Sequence, residues 1–219
     1  MTLAKEILFL IQKEMIIEWR QKYAISGILL YVLSTVFIVY ISFVQVQPNV
    51  WNTLFWIIIL FASVNAVTKS FVQESGNREL YYYSLANPSA IILSKIIYNT
   101  FLLLLLSILS YVVFAFVAGN PVKVPLQFYL AIFLGSFGFS IAFTFISAIA
   151  AKASNSSTLM AILSFPIIIP ILMTLIKLSA NALGLIQDTA ISKDIIILLA
   201  IDLILLALTF ILFPYLWRD

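Results

Sequence analysis

Long apolar runs separated by short polar connections make up most of this 219-residue chain. A helix that crosses a membrane needs about 20 mostly apolar residues. Six segments meet that requirement, at about 24–44, 50–69, 96–118, 126–150, 157–178 and 194–214. No internal repeat or second domain interrupts the pattern. We therefore expect an all-α integral membrane protein with a single transmembrane domain over residues 1–219.

Residues 3–22 come before the first apolar run and have a different pattern. They carry too many charges to span a membrane, yet Leu8, Met15 and Trp19 recur near one face of a helix. The pattern predicts an amphipathic helix in the membrane interface, with Trp19 and Arg20 near the headgroups. A solvated flank of the first span is the alternative interpretation.

Composition supports the membrane class. The chain is 63% hydrophobic and 10% charged, whereas soluble domains have about 25% charged residues. A soluble fold of this size could not cover its surface with so few charges. We expect lipid as the surrounding medium and no nucleic acid as a partner.

The basic residues predict the orientation of the chain in the membrane. With both termini in the cytoplasm, nine of the twelve Lys and Arg residues would lie inside. Only Lys123, Lys177 and Lys193 would lie outside. Because cytoplasmic loops are enriched in Lys and Arg, the chain is predicted to be N-in and C-in.

The segment 73–95 is then a cytoplasmic connection with unusually many polar residues. Glu74 and Arg78 are four residues apart, the favourable order for an ion pair on a helix. Asn87-Pro88 interrupts that helix-like element. Two interpretations stay open: an ordinary solvated loop, or a docking surface for a cytoplasmic partner.

A carboxylic acid lies inside the sixth span. Asp202 is flanked by "IIILLAI" and "LILLALTF", and an acid at the centre of a spanning helix costs roughly 2.5–3.5 kcal/mol on insertion scales. One interpretation is a proton or cation site. The other is an interior-facing acid that is neutral or bonded to another helix.

Two other spans contain residues with special backbone or packing properties. Pro166 and Pro170 each remove a backbone hydrogen bond and predict a kink in the fifth span, either a moving part or a fixed bend. Gly135 and Gly138 belong to a stripe of small residues on the fourth span. Such stripes let helices approach closely, within one chain or between two copies.

Several chemistries are excluded because their residues are absent. The chain has no Cys and no His, so thiolate or imidazole ligation of a metal or of haem iron is impossible. No P-loop pattern occurs, so the chain has no such nucleotide site of its own. We expect no catalysis and no directly bound cofactor.

Two stretches of the sequence resemble known permeases. "FVQESGNRELYYYSLANPSAIILSKIIYN" resembles the segment after the second span in permeases of ABC-2-type transporters. "FLGSFGFSIAFTFISAIAAKASNSSTLMAILSFPIIIPILM" is similar to the glycine-rich fourth and proline-bearing fifth spans of the haem exporter protein B family, CcmB. Three tyrosines stand where that family usually has leucines. In the stretch that resembles ABC-2-type permeases, the matching positions are Glu74, Gly76, Glu79, Leu80, Ser84, Pro88 and Lys95.

The resemblance implies a permease subunit of an ABC transporter in c-type cytochrome biogenesis, in the bacterial inner membrane. A separate cytoplasmic ATPase subunit would bind ATP, and the permease would couple hydrolysis to haem delivery or to release of a haem-loaded periplasmic chaperone. Two copies per complex and other cytochrome c maturation membrane proteins are implied as partners. The residues implied to couple the two subunits are Glu74, Gly76, Arg78, Glu79 and Pro88.

Three other functions are compatible with the pattern. An ABC-2-type exporter of lipid, drug or polysaccharide would have the same spans. An ion-coupled secondary transporter would centre on Asp202. A membrane scaffold for cytochrome maturation would bind partners without using ATP.

Overall fold

The computed structural model of the chain describes residues 3–20, 22–43, 45–67, 71, 86–152, 156–186 and 191–218. Across these ranges the chain forms seven helices and no strand, in agreement with the predicted all-α class. The helices are α1 (Leu3–Arg20), α2 (Lys22–Ser42), α3 (Pro48–Val67), α4 (Pro88–Ala118), α5 (Pro125–Ala151), α6 (Ser156–Ala182) and α7 (Ile191–Arg218).

Proline fixes where three of these helices begin. Pro48, Pro88 and Pro125 are the first residues of α3, α4 and α5, a position where the missing N–H costs nothing and the fixed φ suits a helix. At α4 the Asn87 side chain also accepts a hydrogen bond from the Ser89 N–H at 3.0 Å. As a result α4 begins eight residues before the predicted third span.

Five of the described helices are long and apolar enough to cross a membrane. They are α3, α4, α5, α6 from Thr158 and α7 to Leu216. The apolar part of α2 whose side chains are described, Ser26–Ser42, is shorter. The described chain is therefore a multi-pass helical bundle, and a sixth span through α2 stays a prediction.

Helix α5 lies at the centre of the bundle and packs against α3, α4, α6 and α7. Its hydroxyl groups point toward α4: Ser140 Oγ donates to the Ile96 carbonyl at 2.8 Å, and Asn99 Nδ2 donates to Thr144 Oγ1 at 2.9 Å. Hydrogen bonds of this kind hold helices together where burial of apolar surface supplies little driving force.

Aromatic rings fill the bundle at the end where α4 finishes and α5 begins. Trp51 stacks on Phe55 at 5.6 Å and on Phe114 at 4.9 Å between ring centroids. Phe128 packs against the same two α3 rings. Lys177 Nζ and Asp194 Oδ1, 3.1 Å apart, join α6 to α7 at this end.

Helix α6 runs without interruption through both of its prolines, Pro166 and Pro170. Both are exposed on the outer surface of the bundle. The missing backbone hydrogen bonds therefore lie on the side that faces away from the core, and the helix is not divided into two segments here.

Candidate functional site

Helix α4 is longer than a membrane requires. Its 31 residues extend about 46 Å, whereas the hydrocarbon core is about 30 Å thick. The predicted span is 96–118, which leaves the first turns of α4, 88–95, outside it. Lys95 lies at this boundary.

Helix α1 packs along the first turns of α4, residues 88–95. Glu6 Oε1 accepts a hydrogen bond from the Asn87 N–H at 2.7 Å. Glu14 Oε1 lies 3.1 Å from Lys95 Nζ. Because the two contacts are eight residues apart on both helices, α1 and the start of α4 run side by side in the same direction.

Four side chains from four segments meet at this point, and we call Glu14, Phe71, Lys95 and Phe213 the Lys95 cluster. The Lys95 Nζ lies 4.7 Å from the centroid of the Phe71 ring. The Phe71 ring in turn contacts the ring of Phe213 on α7, with centroids 5.6 Å apart. The cluster joins α1, α4, α7 and the chain just before the 72–85 stretch.

The Lys95 cluster is electrostatically matched. Only 2% of Lys95 is exposed, and an ammonium group removed from water costs several kcal/mol unless it is paired. Glu14 supplies the opposite charge and also lies 3.0 Å from Lys13 Nζ. The Phe71 ring adds a cation–π contact, worth about 2 kcal/mol when desolvated.

The residues implied to couple the chain to an ATPase lie beside this cluster in sequence. Glu74, Gly76, Arg78 and Glu79 are outside the described residues, and Pro88 is the first residue of α4. Phe71 and Asn87 flank the stretch that contains them. Phe71 contacts Lys95 and Phe213, and Asn87 bonds to Glu6, so both flanks are fixed to packed helices.

Helix α1 packs against the bundle through Glu6, Glu14 and the buried Leu10, rather than through the predicted apolar face. Glu6 and Glu14 face α4, as their contacts show. Leu8 and Met15 of the predicted apolar face are 65% and 51% exposed. The side chain of Trp19, the last residue of that face, lies outside the described part.

Asp202 on α7 is a further buried ionisable residue, in the interior of the bundle. It is 0% exposed, and neither carboxyl oxygen has a hydrogen-bond partner in the described chain. Its Oδ1 lies against Gly138 of α5, where an added Cβ would be only 2.5 Å away. The sequence predicts that Asp202 lies within the sixth span, and its contact with Gly138 comes from the structure.

Gly135 has a different neighbour. A Cβ added there would lie 2.8 Å from the Trp56 ring and 3.0 Å from Leu175. The Trp56 ring is held by a 2.7 Å hydrogen bond from its Nε1 to Ser179 Oγ. The small-residue stripe on α5 thus faces α3, α6 and α7 of the same chain.

From the sequence, Lys95 is one of the basic residues that orient the chain and the last position of the permease pattern, and no partner is predicted for it. A signal for its pairing is present in the sequence: a lone lysine at the edge of a long apolar run needs an acid. Glu6, Glu14 and Glu18 in the first helix supply candidates. The spacing of 81 residues between Glu14 and Lys95 cannot be inferred from periodicity.

The described ranges contain no group of three or more potential metal-ligating His, Cys, Asp or Glu side chains. Near Lys95, the contacts with Glu14 and Phe71 join helices through charge and aromatic packing. The five long apolar helices define the class of protein: a multi-pass helical membrane protein.

The chain belongs to the CcmB family. The family model described as "CcmB protein" matches residues 5–215, which confirms the family predicted from sequence. Membership makes the chain a membrane component, a permease subunit, of the haem-export ABC transporter system of cytochrome c maturation. No curated protein and no solved structure matches the chain.

Proposed function

We propose that this permease subunit couples ATP hydrolysis by a separate cytoplasmic ATPase subunit to haem delivery, or to release of a haem-loaded periplasmic chaperone. The 72–85 stretch would contact the ATPase through Glu74, Gly76, Arg78 and Glu79. The permease would lie in the bacterial inner membrane in two copies per complex, with other cytochrome c maturation proteins as partners.

One observation carries the proposal: both flanks of the 72–85 stretch are fixed to packed helices. Phe71 lies between Lys95 and Phe213, and Asn87 bonds to Glu6 and caps α4. A partner that displaces such a stretch moves the attached helices with it. A loop with free flanks would absorb the displacement instead.

The orientation in the membrane forms part of the proposal. We place α1 and the first turns of α4 at the cytoplasmic headgroup level, with both termini inside. The exposed Leu8 and Met15 on α1 then face the lipid interface, where apolar side chains of such helices insert. A span through α2 completes six crossings and returns the chain to the cytoplasm at α7.

The residues of the chain favour a mechanical role over a haem channel. Haem iron is held in proteins chiefly by His, Cys, Met or Tyr, and this sequence has neither His nor Cys. Four Met and ten Tyr residues are present, but His and Cys are the commonest haem ligands, and we assign iron ligation to a partner protein. ATP would act through the ATPase, by binding two conformations of the permease differently.

Asp202 favours a second candidate, an ion-coupled secondary transporter. A buried acid without a hydrogen-bond partner is the kind of group that proton pathways use. That candidate predicts transport that requires an ion gradient and persists without ATP. Related exporters of lipid, drug or polysaccharide share the architecture and differ in their cargo.

Purification from membranes tests the proposal. Tagged permease is extracted in mild detergent, and the eluate is assayed for a co-purifying P-loop ATPase. We expect the ATPase with the native chain and its loss from Glu74→Lys/Glu79→Lys, because the variant reverses two charges on the docking stretch.

A matched control reverses two exposed charges elsewhere, Lys123→Glu/Lys193→Glu. It should retain the ATPase. If no ATPase co-purifies with native chain under several gentle conditions, or if the Glu74 and Glu79 variant retains it and produces normal c-type cytochromes, the coupling role is contradicted.

A further inference from the structure

We propose that Lys95 is a positioning residue that holds the flanks of the 72–85 stretch and α7 in one arrangement, so that movement of the stretch reaches α7. The inference rests on the proposed function, because the ATPase would supply the movement. It assigns the positioning of Phe71, which contacts α7 directly, to one buried ion pair.

Lys95 contacts two of the segments involved, α1 and the chain at Phe71. Lys95 belongs to α4, bonds to Glu14 of α1 at 3.1 Å and lies over Phe71 at 4.7 Å. The Phe71 ring also contacts the ring of Phe213 on α7, with centroids 5.6 Å apart. A displacement of Phe71 must therefore move Lys95 and Phe213 or break both contacts.

A lysine here is not the most stable choice for filling the space. Buried ion pairs can often be replaced by apolar residues of similar volume without loss of stability. Phe71 and Phe213 already supply apolar contact. The pair of Lys95 and Glu14 adds a directional contact that fixes α1 against α4, which is the best-attested use of a buried charge.

Helix α7 joins the Lys95 cluster to the interior of the bundle. Phe213 and Asp202 are eleven residues apart on this helix, about 16 Å along its axis. Asp202 lies against Gly138 of the central helix α5. A shift of α7 at Phe213 therefore changes the α5–α7 contact, because packed helices move as nearly rigid bodies.

Three variants separate positioning from simple packing. Lys95→Arg keeps the charge and can lie on the Phe71 ring. Glu14→Leu/Lys95→Met removes the pair and keeps apolar volume. The control Lys177→Met/Asp194→Leu removes an ion pair of the same 3.1 Å length, between α6 and α7 at the aromatic end of the bundle.

Spin labels measure the arrangement directly in the full chain with its ATPase. The chain has no cysteine, so Met15→Cys and Tyr215→Cys, both at exposed positions, are its only labelled sites. Labelled chain is diluted with excess unlabelled chain, so that the distance within one copy is measured. We expect one narrow distance distribution in the native background, in Lys95→Arg and in the control. We expect a broadened distribution in Glu14→Leu/Lys95→Met.

Function is measured on the same variants without labels. Glu14→Leu/Lys95→Met should retain the bound, ATP-hydrolysing ATPase but lose c-type cytochrome production at least tenfold. Lys95→Arg should restore production. A role in packing alone would lower the amount of permease and ATPase together, without uncoupling them.

Two results would overturn the inference. One is a narrow distance distribution with normal cytochrome production in Glu14→Leu/Lys95→Met. The other is parallel loss of permease and ATPase in this variant and in the milder Glu14→Gln. If native permease brings no ATPase, the proposed function fails, whereas the distance distributions still report on Lys95.

Discussion

Lys95 and Asp202 are both fully buried charged residues, but their surroundings differ. Lys95 has Glu14 at 3.1 Å and the Phe71 ring at 4.7 Å. Asp202 has no hydrogen-bond partner for either oxygen in the described chain and rests on Gly138. One residue is fixed by matched charge, and the other by the space that a glycine leaves.

The α1–α4 contact therefore depends on paired charges, whereas the α5–α7 contact depends on close packing at a glycine. At the α1–α4 contact, removing one charge leaves the opposite charge buried without its partner, which lowers stability. At the α5–α7 contact, removing the charge breaks no hydrogen bond, whereas adding a methyl group creates an overlap. Each region should therefore respond to a different kind of substitution.

The largest effect on stability is expected for Lys95→Met. Removing one partner of a buried ion pair typically costs about 3–5 kcal/mol. We expect the lower end, since Glu14 retains Lys13 at 3.0 Å. Denaturation in detergent measures the free energy of unfolding. A change below about 1 kcal/mol would contradict the electrostatic account of the Lys95 cluster.

The second largest loss of stability is expected for Gly138→Ala. The new Cβ would lie 2.5 Å from Asp202 Oδ1, and overpacking of this kind typically costs about 1–3 kcal/mol. Asp202→Ala added to the same chain should recover most of the loss. Gly27→Ala is the matched control, because nothing lies within 4 Å of a Cβ there.

A similar but smaller loss is expected for Gly135→Ala. The Cβ would lie 2.8 Å from the Trp56 ring, which its bond to Ser179 keeps in place. Trp56→Phe in the same chain releases that bond and should reduce the penalty to under about 1 kcal/mol. Equal penalties in both backgrounds would show that the ring is not the obstacle.

The smallest effect is expected for Asp202→Asn. No hydrogen bond to the carboxyl oxygens is lost, so the free energy of unfolding should change by less than about 1 kcal/mol. Cytochrome c production should remain near normal. Complete loss of production with normal expression would instead favour the proton or cation site.

The sequence predicts much of the helical architecture. Apolar runs locate the helices because each run is long and has few charges, and Asn87-Pro88 marks the beginning of α4. The predicted third span begins late, at 96, because Ser89, Ser94 and Lys95 lower the hydropathy of the first turns. Their helical conformation depends on the Asn87 cap and on contact with α1.

The contacts between helices are less accessible to sequence reasoning. Glu14 and Lys95 are 81 residues apart, and so are Glu6 and Asn87. Gly138 was identified as a packing residue, but its partner Asp202 lies on another helix. Periodicity shows which face of a helix is apolar, and it carries no information on which helix that face meets.

The account depends most directly on which side of the membrane the Lys95 cluster faces. Lys5 on α1 and Lys193 on α7 are both exposed and lie on opposite sides of the membrane in the proposed topology. Single cysteines at these positions can be labelled in intact spheroplasts with a membrane-impermeant maleimide. We predict labelling of Lys193→Cys alone, and of Lys5→Cys only after lysis. Labelling of Lys5→Cys before lysis, with Lys193→Cys protected, would place the 72–85 stretch away from any cytoplasmic ATPase and contradict the account.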